Sequence, residues 1–142
     1  WATTRKGLLL ELPEDEALFE IIGAAGIKSD SKVVVANKVD IHHDIADVTR
    51  VACTLLYAKV KNVAILDGGY NKWLKEKRPL SQEMVKPKPL AYKSELNKAL
   101  FVDKKYVEKK LGKAAIVDTR APDEFFGLTP GQESRRPETS YH

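Results

Sequence analysis

The sequence predicts an α/β fold in which a parallel β-sheet is flanked by helices. Two short runs rich in β-branched residues, at 33–36 and 63–66, have the length and composition of buried strands. Segments 17–25 and 45–60 precede these runs and carry apolar residues at helical spacing. An Asp-Gly-Gly motif at 67–69 predicts a sharp turn after the second strand. Alternation of helix and strand is typical of a parallel sheet.

The first half of the chain supplies start and stop signals for these elements. The first 11 residues show no period and are predicted to form a loop. Pro13 and the three acidic residues after it suit a helix N-terminus, and Gly26 marks the predicted end of that helix. After the turn, a further helix is predicted to place Tyr70 and Trp73 in the core.

The second half changes in character. Residues 81–100 contain prolines among Lys, Ser and Gln without a sustained period, and they are predicted to form an extended linker between domains. Asp103 is the predicted N-cap of a helix that ends at Gly112. Residues 114–118 are predicted to form a strand, and 122–126 a short helix.

Composition narrows the class of protein. The 142 residues are 43% apolar and 31% charged, as in soluble globular proteins. The net charge is +4, but Lys and Arg are interspersed with Asp and Glu, so we expect a solvated surface and no nucleic-acid partner. The sequence contains no run of 18 apolar residues and no opening signal peptide, so no membrane partner is expected. The single cysteine excludes an internal disulfide and leaves the cell compartment open.

Two sequence strings carry a family resemblance. The string NVAILDGGYNKW at 62–73 resembles the strand, Gly-Gly turn and Trp-bearing helix that close a rhodanese (sulfurtransferase) domain. The string AIVDTRAPDEF at 115–125 is similar to the strand, Asp-x-Arg and helix that open such a domain. The resemblance implies a rhodanese-like parallel sheet flanked by helices, present as parts of two tandem domains. Residues 1–80 would be the later part of a first domain, 81–100 the linker, and 101–142 the start of a second.

The resemblance also implies a reaction. Members of the family transfer a sulfane sulfur from thiosulfate or 3-mercaptopyruvate to a thiophilic acceptor through a cysteine persulfide, without a cofactor. The matching loop of the first domain begins at Asn37-Lys38 and contains no cysteine, so that domain is expected to be inactive. The nucleophile is expected after His142, on remaining polypeptide that would be a partner of this chain. A non-catalytic rhodanese-like scaffold is the alternative, and a phosphatase on the related fold is a third reading.

The resemblance assigns roles to four residues. Arg135 and Arg136 would hold the small anionic sulfur donor, because a guanidinium group suits carboxylate or sulfonate oxygens, although adjacent arginines can also simply be solvated. Asp118 and Arg120 fall on the Asp-x-Arg motif. They would either support the active loop or form an ion pair that fixes the start of the domain, with Glu124 as a further partner.

Two other features are expected to be structural. Cys53 lies inside a helix among apolar residues, so we expect a buried thiol and no nucleophile. His42 and His43 lie between Asp40 and Asp44 and could suggest a metal site. Adjacent histidines point in different directions and no third ligand has suitable spacing, so a solvated loop without a metal is expected.

Overall fold

The computed structural model describes residues 1–5, 7–40, 42–120 and 122–128. It divides the chain into two compact units, Trp1–Val102 and Asp103–His142. The first unit contains two small sheets and three helices within its described residues, and the second contains two short helices. The fold is α/β, with a parallel pair of strands flanked by helices, as predicted.

The chain begins with a β-hairpin that the sequence analysis did not predict. Strands β1 (Thr3–Arg5) and β2 (Leu8–Glu11) pair antiparallel. The predicted loop at 1–11 is therefore wrong. The strands are only three and four residues long, and such short runs give too little alternation to reveal a period.

Helix α1 (Asp15–Ala24) confirms the first predicted helix. Its buried residues Leu18 and Ile22 are four positions apart, so they lie on the face that meets the core. The helix ends as predicted before Gly26, where the N–H of Ile27 donates to the carbonyl of Ile22 at 3.2 Å.

Strands β3 (Lys32–Val35) and β4 (Asn62–Ile65) pair in parallel, with Val33 opposite Val63 and Val34 opposite Ala64. Helix α2 (His42–Tyr57) connects them and begins three residues before the predicted start. Only one face of the sheet is covered. Val33 and Val63 are half-buried, whereas Val34 on the other face is 63% exposed. The prediction that these strands are buried is wrong for this second face, which lacks a covering layer among the described residues.

Helix α3 (Gly69–Lys75) follows β4 after the predicted glycine turn. Trp73 is half-buried, but Tyr70 and Leu74 are each 43% exposed. The prediction of a core position for Tyr70 is therefore wrong. Its ring lies outside the packed cluster even though its spacing from Trp73 is helical.

The core of the first unit includes a segment that lies far along the chain. Residues from α1, α2 and the turn after α2 form one buried cluster with Tyr92, and its members are Leu18, Ile22, Leu55, Ala58, Val60 and Tyr92. Tyr92 belongs to residues 88–98, which we call the strap. The strap contains no helix or strand, yet Leu90 and Leu96 also pack against the cluster. Half of the proline-rich region between the predicted domains is thus attached to the first unit.

The second unit starts with α4 (Lys104–Lys110). The Asp103 carboxylate accepts a hydrogen bond from the Tyr106 N–H at 2.8 Å, which confirms the predicted N-cap. Helix α5 (Pro122–Phe125) confirms the short helix. The predicted strand at 114–118 is wrong, since these residues have no regular structure and Val117 is 79% exposed.

Candidate functional site

The loop after β3 is the place where the resemblance locates the sulfur-carrying cysteine. It starts at Asn37, whose side-chain Oδ1 accepts a hydrogen bond from the Lys38 N–H at 2.9 Å. Its backbone carbonyl accepts a second bond from the Tyr70 N–H at 2.9 Å. An amide side chain cannot form a persulfide, so this loop (residues 37–40) carries no nucleophile.

The glycine turn before α3 lets the loop come close to the helix. Gly69 has φ 59° and is buried. A Cβ atom at this position would lie 2.5 Å from Val39 Cγ2 and 2.6 Å from the Asn37 carbonyl oxygen. Only glycine fits this conformation and this approach together. The glycine turn and the loop after β3 are therefore in direct contact.

Asn71 fastens the loop to α3. Its Nδ2 donates to the carbonyl oxygen of Val39 and to Asp40 Oδ1, both at 2.8 Å. Its Oδ1 is buried and has no hydrogen-bond partner in the part of the chain that the structure describes. Asn71 was not among the predicted site residues, although its place directly after Gly-Gly-Tyr is a usable signal: the first turn of a helix commonly bonds to neighbouring loops.

The charged side chains of the loop form ion pairs and hydrogen bonds with each other and with adjacent residues. Lys38 Nζ lies 2.6 Å from Asp40 Oδ2, and the Asp40 N–H donates to Asp44 Oδ2 at 2.8 Å. The hydrogen bond from Lys38, with that from Asn71, holds the pKa of Asp40 below its usual range. A thiolate-binding loop presents free N–H groups to its anion, whereas here a carboxylate already accepts one of them. The N–H groups of Lys38 and Asp40 thus already donate to side chains, which leaves them less available to a bound anion.

Asp118 and Arg120 form a local ion pair in the second unit. Arg120 Nη2 lies 2.7 Å from Asp118 Oδ2, and the Arg120 backbone N–H also donates to Asp118 Oδ1 at 2.9 Å. The hydrogen bonds from Arg120 lower the pKa of Asp118. The guanidinium carbon lies 5.7 Å from the centre of the Phe125 ring. This geometry is that of an ion pair that joins the Asp-x-Arg turn to α5, and a role beside an active loop stays a prediction.

Other predicted site residues are placed differently. Arg135 and Arg136 lie outside the described residues, as do the side chains of His42 and His43. Within the described part of the chain, His, Cys, Asp and Glu side chains form no group of three that could hold a metal ion. Cys53 lies in the middle of α2 and is half-buried, so the expected burial of its thiol is only partial.

A cleft of about 310 Å³ lies between the end of β4 and α3. Its lining residues are Leu66, Asp67, Lys72, Trp73, Glu76 and Arg78. Lys72 pairs with Asp67 at 2.5 Å and Arg78 pairs with Glu76 at 2.6 Å, while the guanidinium of Arg78 lies over the indole of Trp73. Both cations are already neutralised, which makes the cleft a poor anion site.

Known proteins resemble this chain along most of its length. Thiosulfate sulfurtransferase from Bos taurus is 31% identical over 121 residues, which are 84% of this chain and 40% of that protein. A putative thiosulfate sulfurtransferase from Synechococcus elongatus is 32% identical over 84% of this chain and 37% of its own length. Thiosulfate sulfurtransferase YnjE from Escherichia coli is 30% identical over 87% of this chain and 28% of its own. No family model matches the chain.

The chain therefore spans two fifths or less of these relatives. The names of the relatives agree with the family that the two strings suggested, and the observed α/β architecture agrees with the fold that the family implies. None of the helices in the described residues is both long and apolar enough to cross a membrane. By sequence similarity and by fold, the chain belongs to the rhodanese (thiosulfate sulfurtransferase) family.

Proposed function

We propose that this chain is part of a rhodanese-type sulfurtransferase. The complete protein moves a sulfane sulfur from thiosulfate or 3-mercaptopyruvate to a thiophilic acceptor through a cysteine persulfide. The observation that carries the proposal is the similarity to thiosulfate sulfurtransferases over 84% of the chain. The first unit acts as the non-catalytic domain, because the loop at 37–40 has no cysteine and its carboxylates and amides bond to each other.

The persulfide cysteine, in this proposal, belongs to polypeptide that follows His142. Arg135 and Arg136 help to hold the anionic donor, and the Asp118–Arg120 ion pair supports the start of the catalytic domain. The same polypeptide would cover apolar surface that the described chain leaves open. The exposed Val34 on the sheet and the exposed Val117 in the second unit support this part of the proposal, since soluble proteins seldom leave strand-forming apolar residues uncovered.

A cyanolysis assay tests the proposal. The full-length protein is incubated with thiosulfate and cyanide, and thiocyanate is measured. We expect turnover by the full-length protein and none by residues 1–142 alone. A Cys53→Ala variant of the full-length protein is the matched control and should keep its activity, because Cys53 lies mid-helix and away from the loop ends. An inactive full-length protein that forms no persulfide with either donor would favour the non-catalytic scaffold instead.

A further inference from the structure

The chain between α3 and the strap is the most exposed part of the first unit. Residues 76–87 contain no helix or strand, and every one of them is exposed. Leu80 is 59% exposed, Met84 86% and Val85 78%. We call residues 80–86 the tether. An endoprotease binds its substrate in an extended conformation, and exposed polar segments of this kind are where proteins are cut.

Both ends of the tether are attached to the body of the first unit. On the upstream side, Trp73 Nε1 donates to the carbonyl oxygen of Pro79 at 3.0 Å. On the downstream side, the N–H of Leu90 donates to the carbonyl oxygen of Gly23 at 3.0 Å. The chain on each side of the tether is thus held by contacts that do not depend on the tether itself.

The strap is held by buried contacts. The Tyr92 side chain is 6% exposed, and its hydroxyl donates to the carbonyl oxygen of Ala58 at 2.5 Å. Its ring lies 5.8 Å from the ring of Phe19 on α1. Further along, the N–H of Asn97 donates to the carbonyl oxygen of Tyr57 at 2.7 Å. These contacts join the strap to both α1 and α2, so its attachment is that of a core element.

The sequence around the tether selects the class of protease. Arg78, Lys86 and Lys88 are each followed by proline. A proline places a ring on the nitrogen of the scissile bond and removes its N–H, which obstructs cleavage by trypsin-like enzymes. Leu80 and Met84 are followed by Ser and Val, so enzymes that select large apolar side chains meet no such obstacle.

Lys77, the basic residue that directly precedes Arg78, is also protected. At the Lys77–Arg78 bond, the N–H of Lys77 donates to the Leu74 carbonyl and the N–H of Arg78 to the Trp73 carbonyl, at 2.9 and 3.2 Å. Cleavage there requires the end of α3 to unwind, whereas the tether can enter a protease cleft without loss of backbone hydrogen bonds to the unit.

We propose that the tether is a processing site. An endoprotease selective for large apolar side chains hydrolyses one peptide bond after Leu80 or Met84; water supplies the atoms of the new carboxylate and the new ammonium group. The two fragments remain associated, because the strap stays docked against α1 and α2. Cleavage breaks the chain inside the first unit and leaves that unit folded, so the strap and the second unit stay joined to residues upstream of the cut only through the contacts of the strap. The inference depends on the fold and not on the proposed sulfurtransferase activity.

Limited proteolysis of the native chain tests this proposal. Chymotrypsin is expected to make its first cut within residues 1–102 after Leu80 or Met84, as assigned by mass spectrometry. The fragments are expected to elute together in native size-exclusion chromatography and to separate in urea. Trypsin at matched activity is expected to cut the bonds after Arg78, Lys86 and Lys88 at least ~10-fold more slowly than chymotrypsin cuts the tether.

Two variants make the test sharper. Pro87→Ala converts the bond after Lys86 into an ordinary one and should create a tryptic site with co-eluting fragments. Tyr92→Phe keeps the ring but removes the bond to Ala58, so its nicked fragments should separate at a lower urea concentration than those of the nicked wild type. Separation of wild-type fragments in native buffer, or a first cut elsewhere within residues 1–102, would overturn the proposal.

Discussion

Replacement of Gly23 by alanine separates two opposite expectations about α1. Helix propensity alone predicts stabilisation by about 1 kcal/mol, since alanine is the best helix former and glycine one of the worst. The structure predicts the reverse. A Cβ atom on residue 23 would lie 2.3 Å from the carbonyl oxygen of Leu90 and 3.3 Å from the backbone nitrogen of Tyr92. Both contacts are with backbone of the strap, which cannot move aside by a rotamer change.

The size of the destabilisation follows from the steric overlap at residue 23 and from the hydrogen bonds of the strap that this overlap weakens. Overpacking of this kind costs about 1–3 kcal/mol. Displacement of the strap also weakens the bond from the Leu90 N–H to Gly23 and the bond from Tyr92 to Ala58, each worth about 1 kcal/mol. With the gain in propensity subtracted, we expect Gly23→Ala to lower the free energy of unfolding by about 2 kcal/mol, or Tm by roughly 10 °C.

Urea denaturation followed by far-UV circular dichroism measures this change. The matched control is Ala24→Gly, at the exposed last residue of the same helix, which should lose at most about 1 kcal/mol through propensity alone. If Gly23→Ala is as stable as the wild type or more stable, while Ala24→Gly shows its ordinary loss, the close contact between strap and helix is refuted.

Four further outcomes are expected. Tyr92→Phe should lower the free energy of unfolding by about 1–2 kcal/mol, and Tyr106→Phe, in the exposed α4, should change it little. Burial raises the pKa of Tyr92 in the folded protein, so its contribution to the free energy of unfolding is complete below the usual tyrosine pKa of about 10. This contribution is lost as the pH rises through the pKa of Tyr92 in the folded protein. The difference in free energy of unfolding between the wild type and Tyr92→Phe should therefore shrink at that pH. Asn71→Ala should speed amide hydrogen exchange in the loop at 37–40. Asn71→Asp should speed it more strongly, because it places a second carboxylate beside Asp40. Equal exchange rates in the wild type and both variants would contradict the idea that Asn71 holds this loop. Cys53 should react with iodoacetamide more slowly in the native chain than in urea and should gain no sulfur from thiosulfate, and equal rates would show that α2 does not shield it.

The helices could be predicted from the sequence because their signals are local. The apolar stripe of α1 and the Asp103 cap of α4 each lie within a few residues of the backbone they organise. The strand predicted at 114–118 failed for the opposite reason. A β-branched run becomes a strand only when another strand pairs with it, and no partner for it exists among the described residues.

The site could be predicted only in part. The absence of a cysteine at Asn37 is visible in the sequence, and so is the glycine turn. The hydrogen bond from Asn71 to Val39 joins residues more than 30 positions apart in the sequence, and the hydrogen bond from Tyr92 to Ala58 spans a similar number of positions. Neither leaves a periodic signal. For Asn71 the hint was its place after Gly-Gly-Tyr, and for the strap it was Gly23, a glycine inside an otherwise regular helical pattern, which commonly marks a close approach by another part of the chain.

The close approach at Gly69 restricts how this region can evolve. The positive φ at that residue opposes any side chain, so a smaller residue in place of Val39 would not by itself permit a larger one at position 69. The sequence that follows one parallel strand therefore constrains the sequence that follows the other. Descendants of this chain are free to vary the charged residues at its surface, but a change in the glycine pair would require both loops to be rebuilt at once.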